Sequence, residues 1–138
     1  MVTVDLDRIR NEIASGELSL ETCQRLSGAK LVYVASPYTN GDVAQNVRIQ
    51  ILAAETLIRL GFLPIVPLLS HFWHIASPHK WAYWMALDLQ WVCNADAILR
   101  LPGESEGADL EVALARLLCK PVFYSVQDLA QQMKRSTE

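Results

Sequence analysis

The chain is short of several things, and each shortage narrows what it can be. No uninterrupted apolar run approaches the ~18 residues that a membrane-spanning helix needs, so a soluble protein is expected. Lys and Arg total 12 against 15 Asp and Glu, a formal charge of −3 with no basic block. Binding to a phosphate backbone draws on clustered cations that release counterions, so the expected partner is a small molecule and not DNA or RNA. There are three cysteines, Cys23, Cys93 and Cys119, an odd number at wide spacing. That speaks against a disulfide framework. With two of them among apolar residues on predicted helices, they read as buried thiols in a reducing compartment, the cytoplasm. The N-terminal MVTVDLDRIR is charged and lacks an apolar h-region, so no secretion signal is expected. Three histidines without ligand spacing predict no metal, and no cofactor is expected. Internal repeats and low-complexity segments are missing as well.

What is present suffices for one core: 138 residues, 51% of them hydrophobic, bury enough surface without disulfides or metals. Residues 1–28 read as a helical N-terminal appendage, with Ile9 and Ile13 one turn apart and Ser19 placed to cap a second short segment. Residues 29–138 read as a single α/β domain. Apolar strands are predicted at KLVYVAS, FLPIV, DAILRL and PVFY. Helices are predicted at 42–60, 79–94 and 109–119, with a last one from Val126, and a loop carrying Pro67 and Pro78. Short apolar strands alternating with helices imply a three-layer, doubly wound, Rossmann- or flavodoxin-like parallel sheet of about four to five strands with right-handed crossovers. Ligands in such sheets bind beyond the carboxyl ends of the strands, where strand order reverses. Two loops are placed for that, SPYTNGD after the first strand and PGESEGAD after the third.

The second loop gathers four acids, Glu104, Glu106, Asp109 and Glu111, at a helix start. Acids favour that end of a helix dipole, so most of them need no further reason. Glu111 differs, because Leu114, Ala115 and Leu118 follow it at i+3, i+4 and i+7, which puts its carboxylate beside the apolar stripe facing the sheet. The dipole is expected to keep it ionised, and an ionised, sheltered carboxylate is a candidate nucleophile. In WAYWMALDLQWV, Trp81, Trp84, Asp88 and Trp91 fall at i, i+3, i+7 and i+10, one acid on a tryptophan stripe. The stripe reads either as core or subunit packing, or as the aromatic wall of a pocket with Asp88 on its floor. Desolvation raises a buried carboxyl pKa by up to ~3–5 units, so Asp88 is expected to keep or share a proton. Two carboxyls in diverging environments suit acid/base or nucleophilic work at a sugar carbon. Across the crevice, ASPYTNG supplies hydroxyls and backbone amides at the opposite lip. The Tyr33 phenol reaches a carboxylate if its strand neighbours the third, and His71 with His74 lines a base pocket.

Three blocks make residues 30–124 resemble the nucleoside 2-deoxyribosyltransferase superfamily, which includes 2'-deoxynucleoside 5'-phosphate N-hydrolases and CMP N-glycosidases. VYVASPY is similar to the opening strand with its Tyr33, DLQWVCNADAIL to the block holding Asp88 and Asp96, and SEGADLE to the Ser-x-Gly-x-x-x-Glu block holding Ser105, Gly107 and Glu111. The resemblance implies an enzyme that cleaves the N-glycosidic bond of a (deoxy)nucleoside through a covalent glycosyl-Glu111 intermediate. Tyr33 would hold that carboxylate, Asp88 would bind the sugar or assist the proton, and the sugar would pass to another base. Ser36, Pro37, Tyr38, Asn46, His71, Trp84, Ser105 and Gly107 would bind substrate, in a homodimer or higher homo-oligomer. Ser105 stands where the nucleotide hydrolases contact phosphate, which favours a 5'-monophosphate N-glycosidase as the alternative. The first loop lacks the Arg those hydrolases use, with Arg48 the nearest cation in sequence. PGESEG is similar, more distantly, to the loop of cytokinin-activating phosphoribohydrolases, but departs from it at the second Gly. A non-catalytic nucleotide-binding module, or an interaction protein built on the Trp stripe, completes the set of expectations.

Overall fold

A computed structural model describes residues 4–133. The expectations for residues 1–3 and 134–138 lie outside the described residues. The chain begins with two short helices, α1 (Leu6–Ser15) and α2 (Leu20–Ser27). Asp5 and Ser19 cap them by accepting from the amides of Arg8 and Thr22. Polar groups tie the pair together. Arg8 donates to Glu12, Ser19 and Glu21, and Glu12 accepts from the Ser19 amide and the Thr22 hydroxyl. No residue of α1 is buried, and Leu6, Ile13, Leu20 and Leu26 are exposed.

From Leu31 onwards strands and helices alternate: β1 (Leu31–Ala35), α3 (Val43–Arg59), β2 (Leu63–Ile65), a 3-10 turn at Pro67–Leu69, α4 (Ser70–Ala76), α5 (Trp81–Asn94), β3 (Ala97–Arg100), α6 (Glu106–Leu117), β4 (Val122–Phe123) and α7 (Val126–Gln132). The sheet is parallel in the order β2-β1-β3-β4. Tyr33 lies opposite Ile65 on one side and Ile98 on the other, and Ala35 lies opposite Arg100. The period-2 alternation of a strand sorts β1 between two cores. Val32 and Val34 pack with Leu57 of α3 and Leu129 of α7, whereas Tyr33 and Ala35 pack with Val92 of α5 and Val112 of α6. Three layers result, the doubly wound α/β architecture expected from the pattern. The chain steps one way from β1 to β2 and the other way from β2 to β3 and β4, so right-handed crossovers put α3 on one face and α5 and α6 on the other. The order therefore reverses between β1 and β3, and the two loops leaving those strands flank the crevice.

Three expectations need correction. The segment expected to be loop around Pro67 and Pro78 contains α4, a seven-residue helix whose N-cap, Leu69, makes no side-chain capping bond, so no start signal marks it. Helix α6 begins at Glu106, three residues before the expected 109, because Ser105 caps it by accepting from the Ala108 amide at 3.1 Å. All three cysteines are exposed. Apolar neighbours in sequence do not put a helical residue on the buried face: in α5 the buried positions are Met85 and Val92, and Cys93 turns outward. Among the described residues no helix is long and apolar enough to cross a membrane.

Candidate active site

A cavity of about 520 Å³ opens at the carboxyl ends of β1 and β3. Its floor is polar. The Tyr33 phenol, fully buried on β1, donates to Glu111 Oε2 of α6, a bond across 78 residues of sequence that exists because β1 and β3 are neighbours. Asp88 of α5 lines the same cavity and is half-buried. Of the four acids around the second loop only Glu111, 5% exposed, is buried. Glu104 and Glu106 are exposed, and Asp109 pairs with Arg100 at 3.2 Å.

Electrostatics corrects the expected ionisation of Glu111. Burial pushes its pKa up to about 8, while the Tyr33 hydrogen bond and the Arg100 charge pull down and Asp88 pushes up. The dipole does not hold it ionised, because the early start of α6 leaves Glu111 sixth in the helix, beyond the first turn where that effect acts. Burial likewise raises Asp88 to about 7. The Tyr33 pKa goes well above its usual 10, first through burial and then through the two carboxyls, so the phenol keeps its proton and serves as donor. The Asp88 charge adds to the upward push on Glu111, and burial alone accounts for the rise at Asp88.

The opposite end of the cavity is aromatic. Trp81 and Trp84 of α5 line it with His74 of α4 and His79. His74 Nδ1 accepts from the Trp84 indole N–H at 2.9 Å and from the His79 amide at 3.2 Å. In the neutral ring the proton therefore sits on Nε2. His79 stacks on Tyr83 with centroids 3.8 Å apart, and Trp84 meets both edge-on. The tryptophan stripe divides: Trp84 is half-buried at the cavity, Trp81 lines it while 55% exposed, and Trp91 is exposed outside it.

Polar groups on the loops complete the lining. Ser36, Tyr38, Ser105 and Gly107 belong to it. A Cβ on Gly107 would come within 3.1 Å of Met85 Sδ, so a side chain there would crowd the cavity wall. Three residues placed in the site by sequence fall outside the lining. Pro37 is buried against Gly103, where a Cβ would lie 2.7 Å from Pro37 Cγ. Asn46 donates to the carbonyls of Tyr38 and Asn40, which shapes the loop instead of reaching a ligand. The His71 ring is hydrogen-bonded to the Tyr38 hydroxyl and holds it from behind. Arg100, 8% exposed, secures the other loop through the carbonyls of Leu101 and Gly103. Asn40 joins the two loops by donating to the Glu104 carbonyl at 2.8 Å.

Gln50, Leu68, Ser70 and Met85 line the cavity and were not expected there. Gln50 had a signal: Val47, Gln50, Ala54 and Leu57 form the buried stripe of α3, and one polar residue interrupts it. Among the described residues no Lys or Arg lines the cavity, and no group of three His, Cys, Asp or Glu is placed to hold a metal ion.

Residues 30–124 match the model of a family described as a domain of unknown function (DUF4406). No curated protein matches the chain. Among solved structures, the chain is similar to a 2-deoxyribosyltransferase from the psychrotolerant bacterium Bacillus psychrosaccharolyticus, described as a biocatalyst for the synthesis of antiviral and antitumoral nucleosides. The two share 22% identity at a TM-score of 0.50, over 67% of this chain and 69% of that one. This likeness establishes the fold.

Proposed function

We propose an activity from one premise: the chain belongs to the family described as a domain of unknown function (DUF4406), so its chemistry has to be read from the cavity. The reading is cleavage of the N-glycosidic bond of a (deoxy)nucleoside, with transfer of the sugar to a second base. One observation carries it: Glu111 is buried at the cavity floor with its Oε2 held by Tyr33 and Asp88 close enough to perturb it. A carboxylate held by one donor and coupled to a second acid suits a retaining displacement.

In the first step a Glu111 oxygen bonds to C1' as the bond from C1' to the base nitrogen breaks. The bonding pair leaves with the base, which takes a proton from the Asp88 carboxyl. The second base then attacks C1', the glycosyl ester breaks, the carboxylate is restored and the incoming base returns a proton to Asp88. Tyr33 orients the carboxylate throughout and stabilises its negative charge when it departs. The aromatic end formed by Trp84, Trp81 and His74 offers a stacking surface for the base, with the His74 Nε2–H as a donor to a ring acceptor. A surface that retains the leaving base also receives its replacement, which supports transfer over hydrolysis.

Among the described residues no Lys or Arg lines the cavity, whereas the start of α6 does, so an unphosphorylated nucleoside is the first substrate to test and a 5'-monophosphate the second. The test is incubation with a panel of ribo- and deoxyribonucleosides and their 5'-phosphates, with and without an acceptor base, followed by chromatography. Exchange of the base on an unphosphorylated nucleoside is expected. Release of free base from the 5'-phosphates alone would replace the reading with nucleotide hydrolysis, and binding without release would make the chain a nucleotide-binding module.

A further inference from the structure

The fully buried Gln50 amide joins three walls of the cavity. Its Nε2 donates to the Val34 carbonyl at 3.1 Å and to Ser36 Oγ at 2.8 Å, and its Oε1 accepts from the Leu68 amide at 2.8 Å. The amide has one sensible orientation, because turning it over would set oxygen against the Val34 carbonyl and NH2 against the Leu68 N–H. Ser36 is therefore an acceptor towards Gln50, and its own hydroxyl hydrogen has to point elsewhere. That hydrogen has no acceptor among the described residues, although Ser36 is only 8% exposed and lines the cavity. A buried hydroxyl donor without a partner costs stability unless a ligand or water meets it.

We infer that Gln50 is a positioning residue that fixes the Ser36 hydroxyl as a hydrogen-bond donor to an acceptor oxygen or nitrogen of the bound ligand. The same amide, by holding Leu68, sets the distance between the β1 end and the 3-10 turn on the opposite wall. The inference rests on the proposed function only in taking the ligand to be a nucleoside.

Wild type, Ser36→Ala, Gln50→Met and the double variant are titrated calorimetrically with 2'-deoxyadenosine and with thymidine as probes. Loss of one hydrogen bond predicts that each single variant binds the better probe about ten-fold more weakly. The double variant should be no weaker than the worse single one, since both changes remove the same donor. Losses that multiply to about a hundred-fold in the double variant would overturn the link. Gln50→Met leaves the Val34 carbonyl and the Leu68 amide unpaired, so Gln50→Glu provides a second route. Burial favours its protonated form at neutral pH, which still donates to Ser36 Oγ; once ionised at high pH, its carboxylate accepts from Ser36 and turns the hydroxyl away from the cavity, so binding should fall below that of the wild type as pH rises, as far as in Ser36→Ala. A folded Gln50→Glu protein whose affinity follows the wild type's at every pH up to ~10 contradicts the inference.

If neither probe binds the wild type, the nucleoside reading has failed, and the positioning link is read on the free protein. Solvent exchange of the Gln50 side-chain amide protons should then be faster in Ser36→Ala, and unchanged exchange sinks it.

Discussion

At the scale of single residues the account turns on a competition between burial and a hydrogen bond at Glu111. Burial wins, so the folded pKa of about 8 lies well above the ordinary 4.5. Asp88 is displaced in the same direction, to about 7. Between those values the pair carries roughly one proton, held mainly by Glu111; the productive form, with Glu111 ionised and the proton on Asp88, is the minor arrangement of that state, and its population peaks in the same window. We predict a bell-shaped pH profile for kcat/KM with its optimum between the two values, measured as initial rates of base exchange. Tyr33→Phe removes a bond that lowers the Glu111 pKa, so it should move the profile to higher pH and slow turnover about ten-fold. Stability follows the opposite course. Both folded pKa values exceed the unfolded ones, so the folded chain binds more protons between them. This contribution is complete at low pH and is lost as pH rises through about 7 and 8. Glu111→Gln keeps an acceptor for Tyr33 without a charge. It should raise the melting temperature at pH 9 relative to wild type, by ~1–3 kcal/mol of stability, and change little at pH 5.

At the scale of elements the site depends on two loops fastened to each other. Gly103 has φ 115°, a conformation rare for residues with a Cβ, and its α-carbon faces the Pro37 ring. Gly103→Ala should destabilise the fold by ~1–3 kcal/mol in denaturant titration and weaken ligand binding through displacement of Ser105. Much of this level was legible in the sequence. Helices α3 and α7 announce themselves through capping Asp42 and Ser125 ahead of apolar stripes, α6 through its apolar stripe alone, and β1 and β3 through short apolar runs. Helix α4 does not, having no capping side chain, and α6 starts ahead of its expected position because Glu106 and Gly107 are residues that also suit a loop. That displacement had a chemical consequence, since it moved Glu111 into the second turn and voided the dipole argument for its charge. Gln50 carries little meaning in sequence, because a single polar residue on an apolar stripe becomes significant only when its partners, Val34, Ser36 and Leu68, are brought to it by folding.

At the scale of the whole molecule, the reversal of strand order between β1 and β3 is what lets residues 33, 88 and 111 meet. Sequence could predict a parallel sheet but not its order, because each apolar strand suits either side of β1 until the helices choose faces. The meeting of Tyr33 with Glu111 was conditional on that order, and the ionisation of Glu111 depends on burial supplied by elements far along the chain. The remaining claim is that this assembled floor forms a bond to sugar carbon. The most direct test is mass spectrometry of acid-quenched protein after incubation with 2'-deoxynucleosides, followed by peptide mapping. The account predicts a deoxyribosyl adduct on the peptide carrying Glu111, absent from Glu111→Ala, whose turnover should fall ~10³-fold or more. Full turnover by Glu111→Ala, or an adduct on another residue, would contradict it.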